Sequence, residues 1–513
     1  MGGISLKVAI IGGGASGLAA AVTAARRGAQ VIVLEQKDRV GKKLLATGNG
    51  RCNFSNRDLS LAHYHGDAAF VKAVLEKVAL SETLQFFESI GLVYREEAGR
   101  LYPYSNHASS VLDALRLAAA CLSVREETGF AVCRVEKRGG RFVLSAPDGR
   151  ELHADRVIVA SGGKASPSLG SNGGGYALLR SFGHTITRLY PSLVQLKTAP
   201  GTVKGMKGIR VYANARLYQT AGGGSPCRQT KGGESYQTAG GGSPCRQTKG
   251  GEPYQTAGGE SPCRQTKGGE SYQTPGGGSP CRQTKGGESY QTAGGESPCR
   301  QTKGGEPYQT AGGGSPCRQT KGGESYQTPG GETSLLKQEY GEVQFTDYGL
   351  SGIPIFNLSQ AAAGRKDLCI SLDLLPQATD VQNLLANRIT QLSVSPLPAD
   401  SGMARDLSSL FTGIFQKRVG ELLVGRAGYD AAQLVHAIHN LDFPVIGTMP
   451  WENAQVTSGG AVTAEFDPGT MASRLIPGLY ACGEVLDVDG ECGGYNLQWA
   501  WSTGILAGEG AAE

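Results

Sequence analysis

Residues 7–35 read KVAIIGGGASGLAAAVTAARRGAQVIVLE. The apolar run at 8–11 predicts a buried parallel strand, and the alanine-rich run after Gly17 predicts a helix. The run at 31–34 predicts a second strand, which ends at Glu35. Strand, glycine-rich turn, helix and strand in this order are typical of a βαβ unit in a doubly wound α/β domain.

The glycines between the first strand and the helix have the spacing G-x-G-x-x-G. We expect Gly12 to permit the tight turn, Gly14 to let a pyrophosphate approach the backbone, and Gly17 to let the helix pack closely on the strand. The helix N-terminus offers free N–H groups and a positive dipole end to phosphates. Glu35 is placed to accept hydrogen bonds from a ribose diol, so the unit predicts dinucleotide binding.

An 18-residue unit, YQTAGGGSPCRQTKGGES, is repeated in tandem with small variations over residues 218–331. The block contains no Val, Ile, Leu, Met, Phe or Trp, so it cannot bury enough apolar surface to offset its conformational entropy. We therefore expect a disordered insertion where a short hairpin turn would otherwise lie. The units lack an apolar face for stacking and carry one Cys and no His each, which argues against a solenoid and against zinc sites.

Charge and hydropathy exclude some classes of partner. The chain has 513 residues and a formal net charge of +5, and the repeat block, with 12 Lys and Arg and 8 Glu, supplies most of that charge. The near-neutral remainder argues against a nucleic-acid or membrane partner, and no apolar run approaches the ~20 residues of a membrane span.

The start of the chain leaves no room for a signal peptide, and there is no C-x-x-C motif. We expect a cytoplasmic protein with unpaired thiols and no metal site.

In two further segments, a predicted strand precedes a glycine-rich loop. Residues 157–160 form one apolar run, and GLYACGEVLDVDGECGGYNLQWAWSTG at 478–504 predicts a strand that ends at Gly483-Glu484 and a helix that begins near Asn496. A Gly-Glu pair at a strand end suits contacts to a ribityl phosphate. A helix N-terminus suits the flavin pyrimidine, whose carbonyl oxygen gains negative charge on reduction. An NAD-binding domain needs only the βαβ unit, so the three elements together favour FAD.

The segments GKKLLATGNGRCNFSN at 41–56, LYPYSNHASSVL at 101–112 and GEVQFTDYGLSGIPI at 341–355, with those already quoted, resemble the bacterial BaiN/YhiN-like FAD-dependent flavoproteins. The resemblance covers nearly all of the chain outside the repeats. It implies a Rossmann-like FAD-binding domain interrupted by an inserted β-barrel that itself carries a helical subdomain. It also implies an NAD(P)H-linked reductase, and one branch of the family resembles reductases of unsaturated 3-oxo bile-acid intermediates.

The order of the segments predicts the domain boundaries. The FAD-binding domain comprises 1–190 and 456–513. The β-barrel domain comprises 191–355, with the repeats inside it, and returns at 441–455. The helical subdomain comprises 356–440.

The candidate catalytic residues are Arg51, Asn53 and Asn496. Arg51 could hold an anionic substrate group or the flavin, and the asparagines could position either one. Cys52 is interpreted as a small packed residue rather than a redox thiol. The candidate cofactor-binding residues are Gly12, Gly14, Ala15, Ser16, Gly17, Glu35, Gln36, Lys43, Gly50, Arg51, Val132, Ser161, Gly162, Gly483, Glu484, Gly494, Tyr495, Asn496 and Leu497.

The function expected from the cofactor is hydride transfer from flavin N5 to an electron-poor C=C or C=N bond, with a proton from the protein or from water. NAD(P)H and a small-molecule substrate are the expected partners, although no second G-x-G-x-x-G opens a separate nicotinamide domain. One alternative is an amine oxidase that returns electrons to oxygen. Another is an interaction protein whose repeats recruit a partner while the flavin is structural. The oligomeric state is not predicted.

Overall fold

The computed structural model describes residues 5–219, 334–376, 381–394, 410–428 and 430–513, together with the backbone of short strands inside the repeat block. The chain divides into two compact units. The first comprises Met1–Ala213, Glu339–Gly364 and Gly447–Glu513, and the second comprises Asn214–Gln338 and Arg365–Ile446.

A five-stranded parallel sheet forms the centre of the first unit. Its middle strands are almost continuous runs of buried aliphatic residues, as expected for a parallel sheet covered on both faces. The strands predicted at 8–11, 31–34 and 157–160 are confirmed, and the C-terminal strand returns to pair beside the third of them. In spatial order the strands are β30 (Leu479–Ala481), β11 (Arg156–Val159), β1 (Lys7–Ile11), β2 (Gln30–Glu35) and β7 (Arg125–Thr128). This arrangement confirms the Rossmann-like domain.

The helices α1 (Ala15–Arg26) and α11 (Tyr495–Ala512) pack with their backbones in close approach. A Cβ atom at Gly504 would lie 2.5 Å from the carbonyl oxygen of Ser16. One added at Gly508 would lie 2.5 Å from the carbonyl oxygen of Ala20. Only glycine allows this separation, which brings the N-termini of both helices to the same edge of the sheet.

The other elements of the first unit surround this centre. The helices are α2 (Lys42–Ala46), α3 (Ala68–Lys77), α4 (Leu80–Ser89), α5 (Ala108–Cys121), α6 (Gly174–Ser181) and α7 (Ile353–Ala362). The strands are β3 (Ser55–Asn56), β4 (Tyr64–Gly66), β5 (Tyr94–Glu97), β6 (Arg100–Pro103), β8 (Arg134–Arg138), β9 (Arg141–Ser145), β10 (Glu151–Ala154), β12 (Tyr190–Ser192), β29 (Val456–Ser458) and β31 (Val488–Gly490).

The expected β-barrel is confirmed as a closed barrel of six strands. In spatial order these are β13 (Leu196–Thr198), β26 (Gly349–Ser351), β25 (Ser334–Phe345), β14 (Arg210–Gln219), β27 (Leu368–Asp373) and β28 (Leu441–Thr448). Since β14 and β25 are neighbours in the barrel, the repeat block connects two adjacent strands, where a hairpin turn was expected.

Within the repeat block the structure describes only the backbone of short strands, which pair in two parallel sheets. They are β15 (Gln237–Ala239), β16 (Thr248–Lys249), β17 (Gln255–Ala257), β18 (Gln265–Lys267), β19 (Tyr272–Pro275), β20 (Gln283–Lys285), β21 (Tyr290–Ala293), β22 (Gln301–Lys303), β23 (Gln309–Ala311) and β24 (Gln319–Thr320). The other residues of the block lie outside the described part of the chain, and the expectation of a disordered insertion stays a prediction.

Among the described residues of the second unit, the α-helices are α8 (Val381–Val394), α9 (Lys417–Ala427) and α10 (Ala431–His439). The Nδ1 atom of His439 lies 2.8 Å from Oδ1 of Asp373, which ties the end of α10 to the end of β27. The grouping of 356–440 as a separate subdomain stays a prediction. Throughout the described ranges, every helix is too short or too polar to cross a membrane.

Candidate functional site

A cavity of about 440 Å³ opens at the carboxyl ends of β1, β2 and β11. Its walls come from the residues that follow these strands, from α2, from residues 130–133 and from the first turns of α11. All of these residues belong to the first unit. The carboxyl edge of a parallel sheet is where α/β proteins bind their ligands, so this cavity is the candidate cofactor site.

The glycine-rich turn after β1 has the geometry that the sequence predicted. Gly12 has a φ of +109°, and a Cβ there would lie 2.5 Å from the carbonyl oxygen of Ala160. A Cβ at Gly17 would lie 2.0 Å from the carbonyl oxygen of Gly12, so the helix packs closely on the turn. Beside Gly14 there is nothing within 4 Å, which leaves the backbone at the start of α1 open to a phosphate.

Glu35 lies at the end of β2 and lines the cavity. Its Oε2 atom accepts a hydrogen bond of 3.0 Å from the backbone N–H of Gly13, and its Oε1 atom accepts one of 2.8 Å from that of Lys37. These two bonds fix the carboxylate, and each oxygen keeps a second lone pair for a ribose hydroxyl.

A partly buried ion pair also lines the cavity. The Nζ atom of Lys43 donates a hydrogen bond of 2.8 Å to Oε2 of Glu484. The other carboxylate oxygen accepts a hydrogen bond of 2.8 Å from the backbone N–H of Thr457. The Thr457 hydroxyl in turn accepts from the N–H of Lys164 at 2.7 Å, which fixes the loop after β11. The sequence predicts Lys43 and Glu484 as site residues but not Thr457, because no local pattern marks it.

The loop between residues 47 and 56 lies against the start of α11. Asn49 and Cys52 have φ values of 54° and 56°, a strained conformation for residues other than glycine. The Oδ1 atom of Asn53 is buried and has no hydrogen-bond partner among the described residues. A Cβ at Gly494 would lie 2.9 Å from this atom. Asn53 therefore holds an unused acceptor beside the start of α11.

Cys52 in the same loop is fully buried. Burial raises the pKa of its thiol to about 12. The thiolate is therefore scarce at neutral pH, which confirms the interpretation of Cys52 as a packed residue.

Asn496 lines the cavity, but its side-chain amide is occupied by the preceding loop. Its Oδ1 atom accepts from the N–H of Gly490 at 2.8 Å, and its Nδ2 atom donates to the carbonyl oxygen of Gly490 at 2.6 Å. Asn496 thus positions the loop before α11.

Arg51 binds to residues that do not line the cavity. Its Nη2 atom donates to Oε2 of Glu97 at 2.6 Å and its Nε atom to Oδ1 of Asn106 at 2.7 Å, while its guanidinium lies 4.3 Å from the ring centroid of Tyr102.

The structure divides the predicted site residues into two groups. The group that lines the cavity is Gly12, Gly14, Ala15, Ser16, Glu35, Gln36, Lys43, Val132, Ser161, Gly162, Glu484, Asn496 and Leu497. The group outside its walls is Gly17, Gly50, Arg51, Asn53, Gly483, Gly494 and Tyr495.

The sequence did not predict a buried carboxyl group next to the cavity. Asp489 on β31 is only 4% exposed, and its Oδ2 atom accepts a hydrogen bond of 2.7 Å from Nε2 of Gln360 on α7. Burial, reinforced by the carboxylates of Asp487 and Glu484, raises the pKa of Asp489 to about 7. No sequence signal could pair Asp489 with Gln360, since 129 positions separate them.

Comparison with known proteins agrees with this site. The sequence matches the family of the HI0933-like protein Rossmann domain over residues 6–510. The chain belongs to this family. It is similar to the 3-dehydro-bile acid delta(4,6)-reductase of Clostridium scindens, with 34% identity over 99% of both chains. It is also similar to the ribosomal RNA dihydrouridine synthase of Haemophilus influenzae, with 23% identity over 96% of this chain and 95% of the relative.

Among solved structures, the HI0933-like chain is similar to the open conformation of a flavocytochrome c3 fumarate reductase. That match has 13% identity and a TM-score of 0.42, and it covers 99% of this chain and 78% of the other.

The HI0933-like chain is a flavoprotein of the oxidoreductase class, and FAD is its cofactor. Two features of the cavity and one residue beside it fit FAD. The backbone beside Gly14 is open where a pyrophosphate would lie, and the Glu35 carboxylate is fixed where a ribose would lie. The unused acceptor of Asn53 lies beside the helix start where the flavin pyrimidine is expected.

Proposed function

We propose that this HI0933-like protein reduces a C=C bond conjugated to a carbonyl group, with NAD(P)H as the electron donor. The observation that carries the proposal is the 34% identity, over 99% of both chains, with an enzyme named as a reductase of 3-dehydro bile acids. An unsaturated 3-oxo steroid or a bile-acid-like molecule is therefore the proposed substrate class.

When bound, FAD supplies a hydride at N5 to the electron-poor carbon of the substrate. The open turn around Gly14 would bind the pyrophosphate, and Glu35 would bind the ribose. Lys43 and Glu484 would hold the ribityl-phosphate region between α2 and the loop after β30. The loop fixed by Asn496 keeps the N-terminus of α11 in place, where backbone N–H groups would stabilise negative charge on the pyrimidine.

The electron donor is proposed to dock transiently over the flavin. The sequence has one G-x-G-x-x-G, and its turn is assigned to FAD, so a nicotinamide nucleotide has no second motif of this kind to bind. A transient complex would let donor and substrate use the same face of the cofactor in turn.

A second candidate is reduction of uridine in RNA, which also saturates a C=C bond conjugated to a carbonyl. Two ribosomal RNA dihydrouridine synthases, at 23% and 22% identity, favour it. Outside the repeats the chain is close to neutral, and proteins that bind RNA need positive charge to neutralise phosphates. We therefore place the steroid-like substrate first.

The proposal predicts that substrate alone reoxidises the reduced flavin. The purified protein would be reduced with dithionite without oxygen and mixed with an unsaturated 3-oxo steroid, its saturated counterpart, an amine-derived imine or a ribosomal RNA fragment. We expect the flavin absorbance to return rapidly with the unsaturated steroid and not with the saturated control. Recovery with the RNA fragment alone would select the second candidate. Recovery with oxygen alone would favour the oxidase and contradict the proposal.

A further inference from the structure

Asp489 carries a buried carboxyl group that has no role in the binding of FAD described above. It lies on β31 between Val488, which lines the cavity, and Gly490, which is held by Asn496. Its side chain turns away from the cavity toward α7, where Gln360 donates to it. The carboxyl group is thus shielded from solvent and lies one residue along the chain from Val488 of the cofactor site.

The surroundings of Asp489 oppose a negative charge. Among the described residues no Lys or Arg pairs with it, and only neutral groups donate to it. The carboxylates of Asp487 and Glu484 add repulsion to the cost of burial. The groups that face it are Gln360 on α7, the Ser458 hydroxyl on β29, Asp487 and Glu484 on its own segment, and His65, which lies opposite it in the β4–β31 ladder.

A hydrogen-bonded chain connects Asp489 to the start of α11. Nε2 of Gln360, which donates to Asp489, also donates to the carbonyl oxygen of Gly490 at 3.0 Å. The same carbonyl oxygen accepts from Nδ2 of Asn496, the second residue of α11. A charge on Asp489 therefore lies at the base of the loop that leads to the helix N-terminus assigned to the flavin pyrimidine.

We propose that Asp489 takes up one proton when the bound FAD accepts two electrons, so that the carboxyl group tunes the redox potential of the cofactor. Two electrons and one proton convert FAD to its anionic reduced form, and one further proton from solvent converts the Asp489 carboxylate to the acid. The electrons come from NAD(P)H or from a chemical reductant. Protonation removes the repulsion between two negative charges in a medium of low dielectric constant. The inference rests on bound FAD and not on the proposed substrate, so the two fail separately.

The test is the midpoint potential of the bound FAD, measured by anaerobic dithionite titration at several pH values in the wild-type protein and in Asp489→Asn. Each proton taken up with two electrons adds a slope of about 30 mV per pH unit. Since burial raises the pKa of Asp489 to about 7, we expect the wild-type slope to steepen by that amount above pH 7. The variant is expected to lack this step and to have the higher potential at alkaline pH.

Asp487→Asn is the matched control, because it removes the same charge from the same segment at a half-buried position. It is expected to keep the steeper region. Identical slopes in the wild-type protein and in Asp489→Asn would overturn the proposal. If Asp489→Asn does not bind FAD, Gln360→Met removes the donor to the carboxylate and is expected to move the steeper region to higher pH. If the midpoint potential of Gln360→Met steepens at the same pH as that of the wild-type protein, the proposal is overturned.

Discussion

Replacing Gly504 with alanine is expected to destabilise the first unit and to release FAD. The added Cβ would lie 2.5 Å from the carbonyl oxygen of Ser16 and 3.1 Å from Cβ of Ala19, and a backbone oxygen cannot rotate away. Overpacking of this kind costs about 1–3 kcal/mol, and here it would separate α1 from α11. Both helices begin at the cofactor site, so a shift between them would also misplace the groups that bind FAD.

Gly425→Ala provides a matched control for this prediction. Gly425 lies in α9 on an exposed face, and nothing lies within 4 Å of the position of an added Cβ. Alanine at an unstrained helical position of this kind stabilises a protein by roughly 0.5–1 kcal/mol. The measurement is urea unfolding followed by the fluorescence of the buried Trp499 and Trp501, with bound flavin counted by absorbance. A Gly504→Ala protein with full flavin content and wild-type stability would contradict the packing of α1 on α11.

We expect the wild-type protein to lose stability as the pH rises from about 4 to 7, and Asp489→Asn to abolish this loss. Burial raises the pKa of Asp489 from 3.8 to about 7, so over this range the folded protein keeps a proton that the unfolded chain has lost. The free energy of unfolding therefore falls as the pH rises, and the loss is complete above the pKa of the folded state. A difference of about three pKa units corresponds to roughly 4 kcal/mol.

The measurement is the difference in unfolding free energy between Asp489→Asn and the wild-type protein, taken across that pH range. We expect the difference to move in favour of the variant by roughly 4 kcal/mol, because asparagine carries no charge to bury. Asp113→Asn, at an exposed position on α5, is the matched control, because it makes the same substitution where the side chain is not buried. A flat difference for Asp489→Asn would show that its carboxyl group ionises in the folded protein as it does in the unfolded chain.

The sequence was sufficient to predict the features that depend on local pattern. Aliphatic runs marked the buried strands of the parallel sheet, and glycine spacing marked the turn at Gly12 and Gly14. Each of these signals lies within a few residues of the structure that it specifies. The barrel came from the family resemblance, since its strands have no pattern that would predict closure.

The contacts that the sequence could not predict join residues that are distant along the chain. Thr457 reaches Glu484 through a backbone N–H, and Gln360 reaches Asp489 across 129 positions. The hydrogen bonds of Asn496 to its own loop likewise appear only when the loop is folded. Long-range side-chain pairing depends on the fold as a whole, and a single sequence does not display it.

We propose that this flavoprotein takes electrons from a nicotinamide nucleotide and delivers them to a C=C bond. The most direct test is an anaerobic titration of the purified protein with NADH and with NADPH, followed through the flavin absorbance. We expect one of the two nucleotides to bleach the flavin rapidly and to completion. If neither nucleotide bleaches the flavin although dithionite does, the protein is not an NAD(P)H-linked reductase and the proposal is wrong.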